Sequence, residues 1–132
     1  MKRNIDLLRD LLIYLEEHYV AGESLTITED ICGYDLATVS EHFSMLNEEG
    51  FIRNIQVWYG SGVVSGMDVE NLTSKGFDFL DYIRDEGTWK GYKKEMEKRK
   101  VVKTPSAIFS FVKGLVEIVG TGVGAYKKAK DN

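Results

Sequence analysis

The segment from Gly33 to Asn54, GYDLATVSEHFSMLNEEGFIRN, constrains the fold of this chain more than any other stretch. Asp35 is placed to cap a helix that continues to about Glu49, and Gly50 ends that helix in the manner of a C′ glycine. Apolar residues recur at helical spacing within it; they are Leu36, Val39, Phe43 and Leu46. The residues from Phe51 to Tyr59 then alternate as in a strand. The segment therefore predicts a helix that runs directly into a β-strand.

A second strand completes this unit. Gly60, Ser61 and Gly62 supply a turn, and the stretch from Val63 to Val69 has the pattern of a return strand. A helix that leads at once into a two-stranded hairpin is typical of the winged-helix fold. The predicted fold class is therefore α+β, a winged helix-turn-helix domain with one β-hairpin wing and additional C-terminal helices.

The remaining elements follow from the same signals. A helix is expected from about Asn4 to Tyr19, and a short strand or a single turn within Ser24–Ile31. Three more helices are predicted after the hairpin, over Ser74–Glu86 with Thr73 as cap and Gly87 as its end, from Thr88 to about Lys100, and from Thr104–Pro105 to at least Val119. Residues 1–87 are the predicted winged-helix core. Residues 88–132 are predicted to form a basic helix and an apolar helix that pack on the core or form a dimer seam, with flexible last residues.

The net charge of −4 conceals an asymmetry along the chain. Residues 1–50 contain 3 basic and 11 acidic side chains, whereas residues 88–132 contain 11 basic and 4 acidic ones. An acidic body with a basic C-terminal part can contact an anionic partner, or the basic part can pack against the acidic body of its own or another chain.

A few residue types limit the cellular compartment and the kinds of chemistry that are expected of the chain. The single cysteine, Cys32, cannot form an intrachain disulfide, and the charged start of the chain does not match a signal peptide, so a cytoplasmic location is expected. No zinc-ligand spacing, phosphate-binding loop or nucleophile elbow is present in the sequence. We therefore expect no enzyme activity, no metal site and no cofactor, and no small-molecule substrate is evident.

Three stretches carry a distinctive pattern, MKRNIDLLRDLLIYLEE, GYD..TVSEHFSMLNEEGFI and LTSKGFDFLDYIRDEGTW. They resemble a family of small winged-helix proteins of unknown function encoded in phages, prophages and mobile elements. The last stretch is also similar to the YjcQ-like winged-helix family. The resemblance covers Met1 to about Lys98 and rests chiefly on Gly33-Tyr34, His42, Gly50-Phe51-Ile52, Leu72-Thr73 with Gly76, and Trp89. It implies a winged-helix fold and a phage-type setting, and it implies no catalytic or binding residues.

The outer face of the predicted recognition helix decides how well it suits DNA. In a helix-turn-helix protein this face meets the base edges in the major groove. At 100° per residue, the positions that point away from the apolar stripe include Thr38, Glu41 and Met45, with His42 on the flank. This face carries carboxylates and no cation. The helix therefore has the shape expected for DNA but not the usual charge.

Cations for DNA would have to come from elsewhere, because Lys and Arg supply most nonspecific affinity for the phosphate backbone. The wing offers Arg53 and the aromatic Trp58, and the basic run offers four cations. These are Lys93, Lys94, Lys98 and Arg99. An amphipathic helix with a solvated charged face is the plainer interpretation of that run. A tryptophan folded back on the body is an equally weighted interpretation of Trp58.

Two kinds of partner are therefore expected. Double-stranded DNA is the first, in the role of a small phage- or prophage-type regulator. The alternative is a protein-interaction adaptor that presents its acidic helix face and its wing to a host or phage protein. The apolar segment Ser106–Tyr126 is predicted to be a buried helix or the seam of a homodimer in preference to a membrane span, since Lys113 and Glu117 would be costly in a bilayer.

Overall fold

A computed structural model describes residues 2–119 of the chain. Five helices and three strands follow one another in this range, which confirms the predicted α+β class and the β-hairpin. The elements are α1 (Ile5–His18), β1 (Leu25–Ile27), α2 (Leu36–Glu48), β2 (Ile55–Gly60), β3 (Val63–Val69), α3 (Ser74–Ile83), α4 (Glu86–Arg99) and α5 (Pro105–Val119). The glycine-rich residues after 119, predicted to be flexible, lie outside the described residues.

Helix α1 forms because its leucines repeat on one face and its first turn is capped. Asn4 is the N-cap, and its side chain accepts a hydrogen bond from the backbone N–H of Leu7. The buried leucines are Leu7, Leu8, Leu11, Leu12 and Leu15. They place α1 at the centre of the hydrophobic core, against α2 and α3.

The three strands form one antiparallel sheet in the order β1-β3-β2. Strand β1, expected as a short strand or a turn, pairs with β3, so that Leu25 lies opposite Val69. Strands β2 and β3 are joined by the two residues Ser61 and Gly62, which both have positive φ, as the tightest hairpin turns require. The register shifts after Trp58, at a β-bulge that adds twist to the hairpin.

Strand β2 begins at Ile55 rather than at the predicted Phe51. Phe51 and Ile52 are buried in the core, where the carbonyl of Phe51 accepts the N–H of Thr73 and Ile52 pairs with Leu72 only as an isolated antiparallel bridge, separate from the β2–β3 ladder. Gly50 has φ +85°, as expected for a glycine after the last turn of α2. The chain thus enters the core before it turns out into the hairpin.

The boundary between α3 and α4 differs from the prediction. Helix α3 ends at Ile83 and not at Glu86, and α4 begins at Glu86 and not at Thr88. Asp85 is the cap of α4, since its carboxylate accepts hydrogen bonds from the backbone N–H and the hydroxyl of Thr88. Gly87, predicted to end a helix, therefore lies inside the first turn of α4.

Helix α5 starts at Pro105 as predicted, with Thr104 accepting a hydrogen bond from the N–H of Ala107. The helical spacing in the sequence predicts one buried face of α5, made of Ile108, Phe111, Val112, Leu115, Ile118 and Val119. Ile108 and Val112 are buried, while Phe111 and Leu115 are half-buried and pack against the core. The side chains of Ile118 and Val119 lie outside the described residues. Within residues 2–119, no helix combines the length and apolar character needed to cross a bilayer.

Residues on both sides of position 87 share one hydrophobic core. From the C-terminal side, α4 and α5 contribute six buried side chains: Trp89, Tyr92, Met96, Ile108, Val112 and Val116. They join the α1 leucines and Phe43 of α2 in a single cluster. The predicted domain boundary after residue 87 thus falls inside α4, in a region that is built into the common core.

Candidate partner-binding surface

Helix α2 presents a narrow acidic ridge to solvent. Its N-cap Asp35 accepts a hydrogen bond from the backbone N–H of Thr38, and the Thr38 side chain together with this backbone N–H lowers the pKa of the Asp35 carboxyl. The exposed residues of the helix are Ala37, Glu41 and Glu48. Two carboxylates and a methyl group therefore form the outermost line of α2, which agrees with the charge expected from the sequence.

Thr38 and Met45 lie beside this ridge and are half-buried. Both line a depression between α2, the N-terminal arm (residues 2–3) and the connector that joins α4 to α5 (residues 100–104). The deeper part of this depression, which we call the basic groove, has a volume of about 620 Å³. Its floor is largely apolar and includes Ile5, Met96 and Ile108.

Cations dominate the rim of the basic groove. Five basic side chains line it, together with the carboxylates of Asp6 and Glu97. The basic side chains are Lys2, Arg3, Lys93, Lys100 and Lys103. Lys93 is neutralised by an ion pair with Asp6 at 2.8 Å, whereas the other four form no ion pair with any of residues 2–119.

Lys100 directs the chain along the groove. It ends α4 in the left-handed conformation, with φ +54°, and the N–H of Val101 bonds back to the carbonyl of Met96. This turn carries Val101, Val102 and Lys103 across the mouth of the groove before α5 begins. The geometry of a helix end therefore sets the position of two of the unpaired cations.

Asp6 links α1 to α4 at the edge of the groove. Its Oδ1 atom accepts hydrogen bonds from the indole N–H of Trp89 and from the ammonium group of Lys93, both at 2.8 Å. Burial raises the pKa of Asp6, but the hydrogen bonds from Lys93 and Trp89 outweigh it, so the net pKa is lowered. Lys93 thus acts as an internal tie, and it is less available to a partner than the sequence suggests.

His42, predicted on the flank of the partner-contacting face, is fully buried. Its Nε2 atom accepts a hydrogen bond from the backbone N–H of Asn4, and its Nδ1 atom donates one to the carbonyl of Thr38. The prediction that His42 contacts a partner is corrected by this burial, because both ring nitrogens are already used inside the protein. The start of α1 covers this side of α2, and the helical period alone cannot reveal that contact.

The other predicted contact residues are exposed but scattered. Arg53 lies in the link between α2 and the hairpin, and Lys94 and Lys98 point to solvent from α4. Arg99 forms an ion pair with Glu95 one turn earlier, at 3.4 Å. The basic run on α4 therefore does not form one patch, since only Lys93 among its predicted residues reaches the groove.

The β2–β3 hairpin, predicted to be a wing, is uncharged at its tip. Trp58 is 37% exposed, and its indole lies so close to Gly66 of β3 that a β-carbon added there would be 2.7 Å from Nε1. Tyr59 and Val63 beside it are 67% and 65% exposed. Strands β2 and β3 contain no lysine or arginine. Trp58 thus packs on its own hairpin, and the tip exposes an apolar surface.

Lys2, Arg3, Lys100 and Lys103 are the site residues that the sequence did not single out. Two belong to the first residues of the chain and two to the turn after α4, and nothing in their spacing shows that they meet. The sequence does not show that the arm before α1 and the turn after α4 lie side by side. Within residues 2–119, no three His, Cys, Asp or Glu side chains lie close enough together to hold a metal ion.

Comparison with known proteins gives two matches. Residues 2–103, from the N-terminal arm to the connector before α5, match a family described as "Hypothetical protein (DUF2513)". An uncharacterized protein of Haemophilus influenzae is 34% identical over 108 residues, which cover 82% of this chain and 89% of that protein. No solved structure matches the chain.

Proposed function

We propose that this chain, which belongs to the DUF2513 family of hypothetical proteins, is a non-catalytic winged-helix binding module. In this proposal it is a small regulator of the phage or prophage type, and its partner is double-stranded DNA. The observation that carries the proposal is the basic groove, where four cations that form no ion pair with any of residues 2–119 lie beside Thr38 of α2.

The order of elements supports the winged-helix part of the proposal. Helix α2 leads into the β2–β3 hairpin, and β3 also pairs with β1, which precedes α2 in the chain. One feature departs from a helix-turn-helix unit: a tight turn at Cys32 and Gly33, both with positive φ, stands where the first helix of that unit would be. In place of such a helix, the sheet and α1 pack against α2.

The groove supplies the charge that α2 lacks. Phosphate neutralisation dominates nonspecific DNA affinity, and each contact adds about 0.9 to the slope of log K against log salt. Cations from the arm and the connector would hold the backbone while α2 lies alongside. Glu41 could then accept a hydrogen bond from the amino group of a cytosine, a contact that requires the helix to be positioned first.

A salt titration of binding to a fluorescent random-sequence duplex tests the proposal. Affinity should fall steeply with salt, and Lys100→Ala with Lys103→Ala should lower the slope by about 1.8. The matched control is Lys94→Ala with Lys98→Ala, which removes the same charge from the far side of α4 and should leave the slope nearly unchanged. Absence of binding by the parent at low salt would sink the proposal, and equal losses in the two variants would place the contact elsewhere.

A second candidate, the protein-interaction adaptor, is favoured by the wing. A winged-helix protein that grips DNA with its wing needs cations there, and β2 and β3 have none. The exposed Trp58, Tyr59 and Val63 are instead the kind of surface that anchors a protein partner. The acidic ridge of Glu41 and Glu48 would then face a basic region of a host or phage protein.

Reversing the charge of the ridge separates the two candidates. If α2 approaches DNA, Glu41→Lys with Glu48→Lys should tighten duplex binding, because two repulsive carboxylates become cations. If the ridge contacts a protein, the same variant should lose a partner that cross-links to the parent in host extract, and Trp58→Ala should lose it too. A partner retained by both variants would contradict the adaptor function.

A further inference from the structure

His42 is the one buried histidine among the described residues, and its ring joins two segments of the protein. The Nδ1–H group donates to the carbonyl of Thr38 at 2.8 Å, within α2. The Nε2 atom accepts the backbone N–H of Asn4 at 3.0 Å, 38 positions earlier in the chain. These partners require the tautomer with its proton on Nδ1.

Asn4 is held at a second point. Its side-chain NH₂ group donates to the hydroxyl of Tyr34 at 2.5 Å, while its Oδ1 atom caps α1 by accepting the N–H of Leu7. Asn4 thus begins α1 and is at the same time attached to His42 and Tyr34, on either side of the α2 N-cap. The N-terminal arm leaves the protein from this junction.

The junction lies next to the cations of the basic groove. Lys2 and Arg3 directly precede Asn4, and they line the same groove as Tyr34 and Thr38. An arm without such an attachment would sample many directions, and its charges would not be held beside Lys100 and Lys103. The hydrogen bonds of Asn4 therefore fix where two of the four unpaired cations can be.

We infer that His42 is a positioning residue of the basic groove: it holds the N-terminal arm against α2, so that Lys2 and Arg3 bind the same polyanion as Lys100 and Lys103. This inference rests on the DNA-binding function proposed for the groove. The position of the arm itself, however, can be measured without DNA, and the two ideas can fail separately.

The position of the arm is measured with nitroxide labels on cysteines that replace Lys2 and Lys103, in a chain with Cys32→Ser. Pulsed electron paramagnetic resonance should give a narrow distance distribution in this parent and a broad one after His42→Leu. Tyr34→Phe removes only the exposed hydrogen bond between Asn4 and Tyr34, and it should broaden the distance distribution partly. Circular dichroism verifies folding; if His42→Leu does not fold, His42→Asn decides, because its amide can still donate to the Thr38 carbonyl but has no group in place of Nε2 to accept the N–H of Asn4. An unchanged distribution in the folded variant used would overturn the inference.

The DNA-binding part of the test uses a double-mutant cycle. Lys2→Ala with Arg3→Ala should lower the salt slope of duplex binding by about 1.8 in the parent, but by much less in the His42→Leu background, where the arm is already detached. Equal losses in both backgrounds would overturn the positioning role. If the parent binds no duplex at low salt, the proposed function fails, and the label distances still decide whether His42 holds the arm.

Discussion

At Gly76 the backbone of α3 passes very close to the backbone of Phe51. A β-carbon at this position would lie 2.0 Å from the carbonyl oxygen of Phe51 and 3.3 Å from the side chain of Leu72. Both neighbours are buried, and the Phe51 carbonyl is also bonded to the N–H of Thr73. The obstacle is thus a fixed backbone atom, which cannot rotate away as a flexible side chain could.

Replacing Gly76 with alanine should destabilise the protein by roughly 3 kcal/mol or more, because α3 would have to move off the core. The matched control is Gly114→Ala in helix α5, where an added β-carbon meets no atom within 4 Å. That change should be neutral or stabilising by up to about 1 kcal/mol through helix propensity. Urea denaturation followed by circular dichroism measures both; similar midpoints would contradict the predicted contact.

Single residues also show where sequence reasoning succeeded and failed. Asp35, Gly50, Thr73 and Pro105 were placed correctly, because caps and left-handed glycines act on their immediate neighbours. His42 was misplaced because its environment is made by Asn4, far away in the sequence. Local chemistry is therefore readable from the chain, whereas burial by a distant segment is not.

At the scale of secondary-structure elements, side chains join the ends of different helices to one another. Glu49, just after α2, accepts the backbone N–H of Ser106 in the first turn of α5 at 2.9 Å. Arg9 of α1 donates to the carbonyls of Ile83 and Arg84 at the end of α3, both at 2.8 Å. Each contact satisfies a terminal backbone group that its own helix leaves free.

Removing the carboxylate of Glu49 should weaken the start of α5. Glu49→Ala leaves the N–H of Ser106 without its protein partner, and the expected loss of stability is about 1 kcal/mol, as for other capping residues. Glu48→Ala is the matched control, because Glu48 is exposed on the acidic ridge and should change stability by less than about 0.5 kcal/mol. Chemical denaturation of the pair checks the difference; equal effects would argue against the cap.

The tie between α1 and α4 predicts a specific pH dependence. The pKa of Asp6 is lowered in the folded state, so the folded protein binds fewer protons there than the unfolded chain. The ionised Asp6 carboxylate stabilises the protein above the pKa of Asp in the unfolded chain, which is about 4. This stabilisation is lost as pH falls through the lower pKa that Asp6 has in the folded protein. Asp6→Asn should therefore make stability less sensitive to acid over this range, by about 1 kcal/mol at most for a partly exposed pair.

Asp10, one turn further along α1, provides a control of opposite sign. Burial raises its pKa, so the folded protein binds a proton there more readily than the unfolded chain, and protonation favours folding. Asp10→Asn should therefore steepen the loss of stability in acid, where Asp6→Asn reduces it. Thermal unfolding measured from pH 3 to pH 7 tests both variants, and profiles that shift in the same direction would contradict this assignment.

The order of elements was predictable because each has its own periodicity and caps, but the boundaries between neighbours were less so. Asp85, Glu86 and Gly87 form the clearest case: the glycine suggested an end to α3, and Asp85 instead caps α4. Both signals are present in the sequence, and they compete. In the structure α3 ends at Ile83, where Arg9 donates hydrogen bonds to the terminal carbonyls of Ile83 and Arg84.

For the molecule as a whole, α4 and α5 are part of the core rather than additions to it. Their six buried apolar side chains contribute roughly 9–18 kcal/mol of burial free energy at about 1.5–3 kcal/mol each. The conformational entropy of ordering the two helices opposes this gross figure, but the net stability of a typical domain is only about 5–15 kcal/mol, so the loss of this burial would be large. We therefore expect the helices after residue 87 to be needed for folding.

A fragment of residues 1–87 should therefore fail to fold cooperatively. We expect it to lack the near-ultraviolet circular dichroism and the sharp urea transition of the full chain, because the α1 leucines would lose their cover. Residues 1–119, which keep all of the buried side chains named above, are the control and should show both. A cooperative transition in the shorter fragment would show that the domain boundary lies at residue 87 after all.

The basic groove was not predictable at this scale. The sequence showed an acidic first part and a basic last part, but not that the arm and the α4–α5 connector meet beside α2. Their meeting depends on the packing of the α1 leucines in the common core and on the hydrogen bonds that join Asp6 of α1 to Trp89 and Lys93 of α4. Charge counts therefore predicted that an anionic partner could bind, without showing where it would lie.

The two tryptophans of the chain have opposite surroundings, and this makes them natural optical reporters. Trp89 is buried and donates its indole N–H to Asp6, so its fluorescence should be blue-shifted and protected from quenchers such as acrylamide. Trp58 lies over Gly66 with one face in water, so its emission should be redder and readily quenched. With Trp89→Phe the remaining signal comes from the β2–β3 hairpin, and with Trp58→Phe it comes from the buried indole that is hydrogen-bonded to Asp6 of the groove. An unlabelled protein can thus report which of its two surfaces a partner covers.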